Sequence, residues 1–328
     1  MIARVSFATF LIATAAFAQK PPPAGAWTKG PSLAEPRMTC TATVLADGQV
    51  LVAGGTGRRV YLKSAERFNL QAMKWFPAGE MADERYGHAA VLLLDGTVLV
   101  TGGYNGGNIA GVERYELTSN GWTSMAPLNV RRDRHTATLL PDGRVLVAGG
   151  WKDGVPLASV EFYDVVADRW TMGPPMNHPR AYHTATLLQD GNLLVAGGEG
   201  KNDYTIEKTA ELYDPIARIW RSATPIPGAR HWHSAMRLAS GNVLIAGGAT
   251  GGRYVTNHSA LFDPIANAWT LVRPLNRGRQ GAASAVMPNG FALVVGGRDV
   301  REFLDSTELF ATTEVVLPAT QPTLPVAP

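Results

Sequence analysis

Six times along this chain an apolar run ends in a pair of glycines, at Gly54, Gly102, Gly149, Gly197, Gly247 and Gly296, with spacings of 48, 47, 48, 50 and 49 residues. A period this regular means that one supersecondary unit recurs and that each copy buries its apolar face against its neighbours. Seventeen residues before every pair stands an arginine (Arg37, Arg85, Arg132, Arg180, Arg230, Arg279), and six residues before it a turn glycine (Gly48, Gly96, Gly143, Gly191, Gly241, Gly290). Each turn glycine follows Asp47, Asp95, Asp142, Asp190, Ser240 or Asn289, which is the chemistry of a tight hairpin between two strands. Beyond the pair comes Glu-x-aromatic, as in Glu113 to Tyr115, Glu161 to Tyr163 and Glu211 to Tyr213. Seven residues past the aromatic position stands Trp75, Trp122, Trp170, Trp220 or Trp269. Every unit therefore reads as four short strands, and the 35 glycines and 22 prolines supply the turns that an all-β chain needs.

Double glycine, tyrosine and tryptophan in this fixed register resemble the kelch repeat, and the resemblance covers residues 27 to 310. It implies a six-bladed β-propeller, one four-stranded sheet per blade around a central channel. The sixth unit has Glu308 and Phe310 but Leu317 where its tryptophan is due. Trp27 lies ten residues before Arg37, the interval that also separates Trp75 from Arg85, so the N-terminal segment is expected to supply the outer strand of the last blade and close the ring.

Residues 1–18 read as an export signal, with Arg4 before an apolar stretch and Ala16-Phe17-Ala18 as the cleavage site. The apolar run is shorter than the roughly 20 residues that span a bilayer, so a cleaved leader and a secreted or periplasmic protein are expected rather than an anchor. A propeller over residues 19–310 is followed by a Pro-rich tail, 311–328. The single cysteine, Cys40, allows no internal disulfide and no thiolate metal site. A net charge of +3, from 30 basic and 27 acidic residues, gives no electrostatic case for nucleic acid.

Function is sought in residues the repeat does not require. Six of eight tryptophans are in register; Trp151 and Trp232 are not, and both fall on the face carrying the loops after the glycine pairs and before the arginines. Six of nine tyrosines (Tyr61, Tyr86, Tyr104, Tyr182, Tyr204, Tyr254) collect in or beside the same loops. Such rings suit stacking on sugars or anchoring a protein, or simply pack the loops together. The six register arginines are expected to encircle the channel mouth, where guanidinium groups bind anions. The competing expectation pairs them with Glu66, Glu113, Glu161, Glu211 and Glu308 on the third strands; the fifth unit has Ala260 there instead. Arg58, Arg59, Arg253, Arg298 and Arg301 suggest a basic sector over units five, six and one. His88, His135, His183 and His233 share one register, with Cys40 and Ala282 in the other two places, and read as structural groups bonding backbone between blades. Of the remaining histidines only His231, beside Trp232, falls near the expected mouth.

The expected function is an exported, monomeric binding or interaction module without metal or cofactor. Its partner is a glycan, an acidic small molecule or a protein, held by the arginine ring with Trp232, Tyr182, Tyr254 and Trp151. The alternative is a sugar-modifying enzyme resembling the periplasmic kelch sialic-acid mutarotases, with Arg230, His231 and the mouth glutamates as the reacting groups. A copper-radical oxidase resembling galactose oxidase is disfavoured, because Cys40 sits in a core strand register.

Overall fold

The computed structural model describes residues 27–57, 60–200, 205–251, 254–287 and 290–310. The expected leader, its cleavage point after Ala18 and the Pro-rich tail lie outside the described residues, as do Arg58, Arg59, Tyr204 and Arg253. Each repeat forms a four-stranded antiparallel sheet, and six such sheets make up the propeller. In blade one the strands are Thr41–Val44, Val50–Ala53, Ser64–Asn69 and Lys74–Glu80, paired in chain order. In blade six, Ala283–Val286, Ala292–Val295 and Thr307–Phe310 are joined by Trp27–Gly30, which pairs antiparallel with the last of them so that Trp27 faces Phe310. The side chain of Trp27 lies outside the described part of the structure.

The second strand of every blade is buried along its whole length, Val50–Ala53 and Val145–Ala148 among them. It has a neighbouring blade on both faces, which is why it reads as an unbroken apolar run and not an alternating one. The core is accordingly a set of wedges between blades: one cluster joins Val50, Phe68 and Trp75 of blade one to Leu293, Val295 and Leu309 of blade six. The register aromatic and the tryptophan face each other across the third and fourth strands, as Tyr163 does Trp170, with ring centroids 4.8 Å apart. The register indoles of blades one to five also donate from Nε1 to a carbonyl of the preceding blade, Trp170 to Ala126 at 2.9 Å and Trp269 to Thr224 at 3.1 Å. The tryptophan thus tethers its blade to the previous one by hydrogen bond as well as by packing.

The glycine pair is needed because of what lies beyond it. Gly54 and Gly55 have φ of 58° and 100°, and a Cβ on Gly54 would lie 2.7 Å from the Arg85 carbonyl oxygen of the next blade. Only glycine takes these angles cheaply and leaves room for the approach. The N–H of the second glycine then donates to that arginine's carbonyl, Gly55 to Arg85 at 2.9 Å, and the same bond recurs around the ring to Gly297 on Arg37, also at 2.9 Å.

The arginine side chain turns back into its own blade. Arg180 Nη1 donates to Gly197 and Thr209 carbonyls at 2.8 and 3.1 Å, and Nη2 to Glu211 at 2.8 Å. Corresponding ion pairs join Arg37 to Glu66, Arg85 to Glu113, Arg132 to Glu161 and Arg279 to Glu308, at 2.6 to 2.9 Å. Each glutamate also accepts the backbone N–H three residues before its arginine: Ala34, Ala82, Asn129, Asn177 and Asn276 are the donors. In blade five Ala260 replaces the glutamate and Pro227 occupies the donor position, so the missing carboxylate leaves no N–H stranded. Arg230 instead holds four backbone carbonyls, those of Pro227, Gly228, Gly247 and His258. Burial without a counter-charge lowers its affinity for the proton, to about 10.

Two outcomes follow from these pairs. Glu211→Ala strands a buried guanidinium and should cost about 3 to 5 kcal/mol in chemical denaturation. Pro227→Asn with Ala260→Glu rebuilds the missing pair and should raise stability by about 1 kcal/mol, whereas Ala260→Glu alone gains less because Pro227 offers no N–H.

Candidate functional site

Two residues after each register arginine the chain passes through the left-handed region in all six blades: Thr39, Gly87, Arg134, Tyr182, Trp232 and Gly281 have φ between 51° and 61°. Their backbones form a closed ring of hydrogen bonds around the channel. Each N–H donates to the carbonyl of its counterpart in the preceding blade: Thr39 to Gly281 at 2.8 Å, Gly87 to Thr39 at 3.0 Å, Arg134 to Gly87, Tyr182 to Arg134 at 3.0 Å, Trp232 to Tyr182 at 3.1 Å and Gly281 to Trp232 at 2.8 Å. The geometry is one that glycine meets without strain, as it does in blades two and six. A bulky aromatic held there is an outlier, with a cost of the order of 1 kcal/mol or more. Arg134, Tyr182 and Trp232 occupy those positions in blades three, four and five, so the large side chains stand over one half of the mouth and Gly281, Thr39 and Gly87 leave the other half open.

A cavity of about 150 Å³ lies within this ring, with Arg134, Tyr182 and Trp232 above and His88, His135 and His183 in its wall. The Arg134 guanidinium sits between two tyrosine rings, 5.0 Å from the centroid of Tyr86 and 4.9 Å from that of Tyr182. It donates from Nη2 to the Tyr86 hydroxyl at 2.8 Å and from Nη1 to Asp133. Tyr86 stacks with Tyr61 at 5.1 Å and packs on Tyr104 at 5.5 Å. On the other side Tyr182 meets the edge of Trp232 at 4.6 Å, and Trp232 stacks on His231 at 4.8 Å. His231 Nδ1 is 3.3 Å from the Glu199 carboxylate. A continuous band of π-surface with one cation at its centre therefore runs from blade one to blade five. Burial pushes the Tyr182 phenol well above its ordinary range and the Asp133 carboxyl up to about 6, in each case against the attraction of Arg134.

The register arginines do not line this mouth. All six are at most 2% exposed, and five are neutralised by the third-strand glutamates. The expectation of an open guanidinium ring is corrected accordingly: Arg37, Arg85, Arg132, Arg180, Arg230 and Arg279 are held inside their blades, because each must reach the glycine carbonyl of the second strand. Trp151 is buried, pairing its backbone with Asp133, and Tyr254 is 71% exposed on a short hairpin of blade five and does not line the cavity. Tyr182 and Trp232 do stand at the mouth. The aromatic band is centred on Arg134 of blade three and ends at Tyr61 of blade one and Trp232 of blade five, so it does not cross blade six, the middle of the expected sector. There Arg277 is matched by Asp299 and Glu302, and Arg298 lies over Phe303. Arg134 carries no signal in the sequence, because the position two residues beyond the register arginine differs from repeat to repeat.

The register histidines are structural and join neighbouring blades through threonine hydroxyls. Nε2 meets a threonine of the preceding blade in each case: His88 with Thr41, His135 with Thr101, His183 with Thr136 and His233 with Thr184, at 2.8 to 3.1 Å. Among the described residues no group of three or more His, Cys, Asp or Glu could hold a metal ion. Burial pushes the Cys40 thiol up to about 11, which removes it as a nucleophile.

Six four-stranded blades, an arginine and glycine lattice between them and a decorated channel mouth define a kelch-type propeller. The chain belongs to the kelch-repeat family: residues 39–237 match the KLHDC2/KLHL20/DRC7 Kelch-repeats domain. No curated protein matches it. A propeller of this family is in general a protein-interaction module. No helix among the described residues is long and apolar enough to cross a membrane.

The buried imidazoles make stability depend on pH. Desolvation, reinforced by a nearby guanidinium, lowers His88 and His183 to about 3. The unfolded chain then binds more protons than the folded one from about pH 6.5 down to about 3, so stability is complete above this window and is lost as the pH falls through it. Denaturation at pH 5 should show a loss on the order of 1 to 2 kcal/mol per such imidazole relative to pH 7.5, and the loss should shrink in His183→Gln.

Proposed function

We propose that this protein is an exported interaction module that takes an anionic or sugar-like group of its partner at the mouth of the channel. The single observation behind this reading is the side chains Arg134, Tyr182 and Trp232 held at left-handed backbone positions that glycine fills elsewhere in the same ring. Architecture does not ask for those side chains, and a strained residue retained at a concave opening marks a place where the side chain serves binding. A guanidinium flanked by tyrosines suits a carboxylate or sulfate, and the exposed part of the indole suits the apolar side of a pyranose. Export rests on residues 1–18, whose composition matches a cleaved leader. The alternative reading, an isomerase acting on an acidic sugar, draws on the His231 and Glu199 pair beside Trp232. Exchange between anomers of such a sugar, accelerated by the protein and lost in His231→Gln, would favour it.

The informative variants are Arg134→Gly and Trp232→Gly. Glycine is already the native residue at the equivalent positions of blades two and six, so the ring itself should tolerate both changes. Each should weaken capture of the ligand found by a glycan and acidic-peptide screen by about 1 to 3 kcal/mol, with little change in melting temperature. Undiminished binding in both variants would remove the mouth as the site. N-terminal sequencing of protein recovered from the cell envelope or medium should begin at Gln19.

A further inference from the structure

The cation at the mouth is not free. Asp133, the residue before Arg134, is fully buried, and one of its oxygens, Oδ2, accepts from Arg134 Nη1. Its other oxygen, Oδ1, is buried and has no strong donor beside it: the Asn108 amide that comes near also donates to the Trp151 carbonyl at 3.3 Å. Two donors of residues that line the cavity, Arg134 Nε and Trp232 Nε1, are likewise buried without a partner among the described residues. A buried carboxylate with one oxygen on a guanidinium and the other only weakly bonded is a poorly solvated anion. The guanidinium beside it has a hydrogen-bonding edge unused.

We propose that Asp133 is an internal competitor at the mouth: it holds Arg134 between Tyr86 and Tyr182 while ionised and surrenders the guanidinium to an anionic ligand on taking up a proton, so that anion binding is coupled to acidification. This rests on the reading of the mouth as the binding site. With Asp133 ionised, the pair offers an incoming anion no net charge, and the ligand must also approach a buried carboxylate. With Asp133 protonated, the same guanidinium carries an uncompensated positive charge, and the two tyrosine rings and the Tyr86 hydroxyl still hold it in place. The proton enters a group whose charged form is already penalised by burial, which brings the transition to about pH 6.

The groups facing Asp133 and its partner are few. Arg134 stands beside it; Tyr86 faces it from blade two and Tyr182 from blade four, and the Glu199 carboxylate reaches the pair only through Tyr182. Both phenols have their affinity for the proton raised and stay neutral in this range. Burial keeps the imidazoles of the cavity wall, His88, His135, His183 and His233, neutral, and His231, which is bonded to Glu199 and stacked on Trp232, is separated by experiment.

Sulfate is a suitable probe because its charge is constant between pH 5 and pH 7.5. Its binding to the full chain can be followed at the Arg134 Nε–H and Trp232 Nε1–H resonances. Wild-type protein should bind sulfate about tenfold more tightly at pH 5 than at pH 7.5, the effect of one opposite charge removed from the site. Asp133→Asn should bind with the tighter affinity at both values, and His231→Gln should retain the pH dependence. By reciprocal linkage, saturating sulfate should raise the titration midpoint of the Asp133 carboxyl in the wild type, a readout that stands even if Asp133→Asn does not fold. A flat wild-type profile, an Asp133 midpoint that sulfate does not move, or a pH dependence that vanishes in His231→Gln would each overturn the proposal. If sulfate fails to bind at any pH while a neutral glycan does bind and is lost in Trp232→Gly, the coupling is wrong and the mouth remains the site. If Arg134→Gly and Trp232→Gly leave every ligand bound, the site assignment itself has failed.

Discussion

The arginine at the head of each innermost strand ties its blade together and joins it to the blade before. Its carbonyl accepts the N–H of the previous blade's glycine pair, while its guanidinium spans the second and third strands of its own blade. Removing such a side chain from water is expensive, and the expense is offset because its two terminal nitrogens donate to carbonyls of the blade and, in five blades, to a carboxylate. The glycine pair follows from the same contact, since the next arginine's carbonyl lies where any Cβ would be. Double glycine, arginine and glutamate are therefore one device repeated around the ring, and blade five shows its tolerance: Ala260 and Pro227 depart together, and backbone oxygens take over.

Because the arginines are consumed in this way, the side chains that stand at the mouth come from the residue two positions further on. The backbone there is dictated by the ring of hydrogen bonds, but the side chain is not, so Thr39, Gly87, Arg134, Tyr182, Trp232 and Gly281 differ freely while their φ values agree. The result is a rigid mouth with a variable lining. Rigidity matters for binding because side chains already fixed by stacking, as Arg134 is between two tyrosines, lose little freedom when a ligand arrives. The buried histidines one position further contribute a second inner layer that binds blade to blade through threonine hydroxyls.

Much of this was written in the sequence because the repeat is strict. Six glycine pairs at intervals of 47 to 50 residues determine the number of blades, the strand order within each and the pairing of aromatic with tryptophan. Likewise, the five glutamates and the alanine at 260 marked in advance which arginine would lack a counter-ion. Periodic positions are legible since each must satisfy the same local geometry six times. What tertiary structure alone decided was the direction in which those positions point. The arginines could have faced the channel or the blade; the need to satisfy a buried guanidinium turned them into the blade. The meeting of Tyr86, Arg134, Tyr182, Trp232 and His231, contributed by four blades and separated by nearly 150 residues of chain, depends on the closure of the ring, which brings sequence-distant loops around one axis.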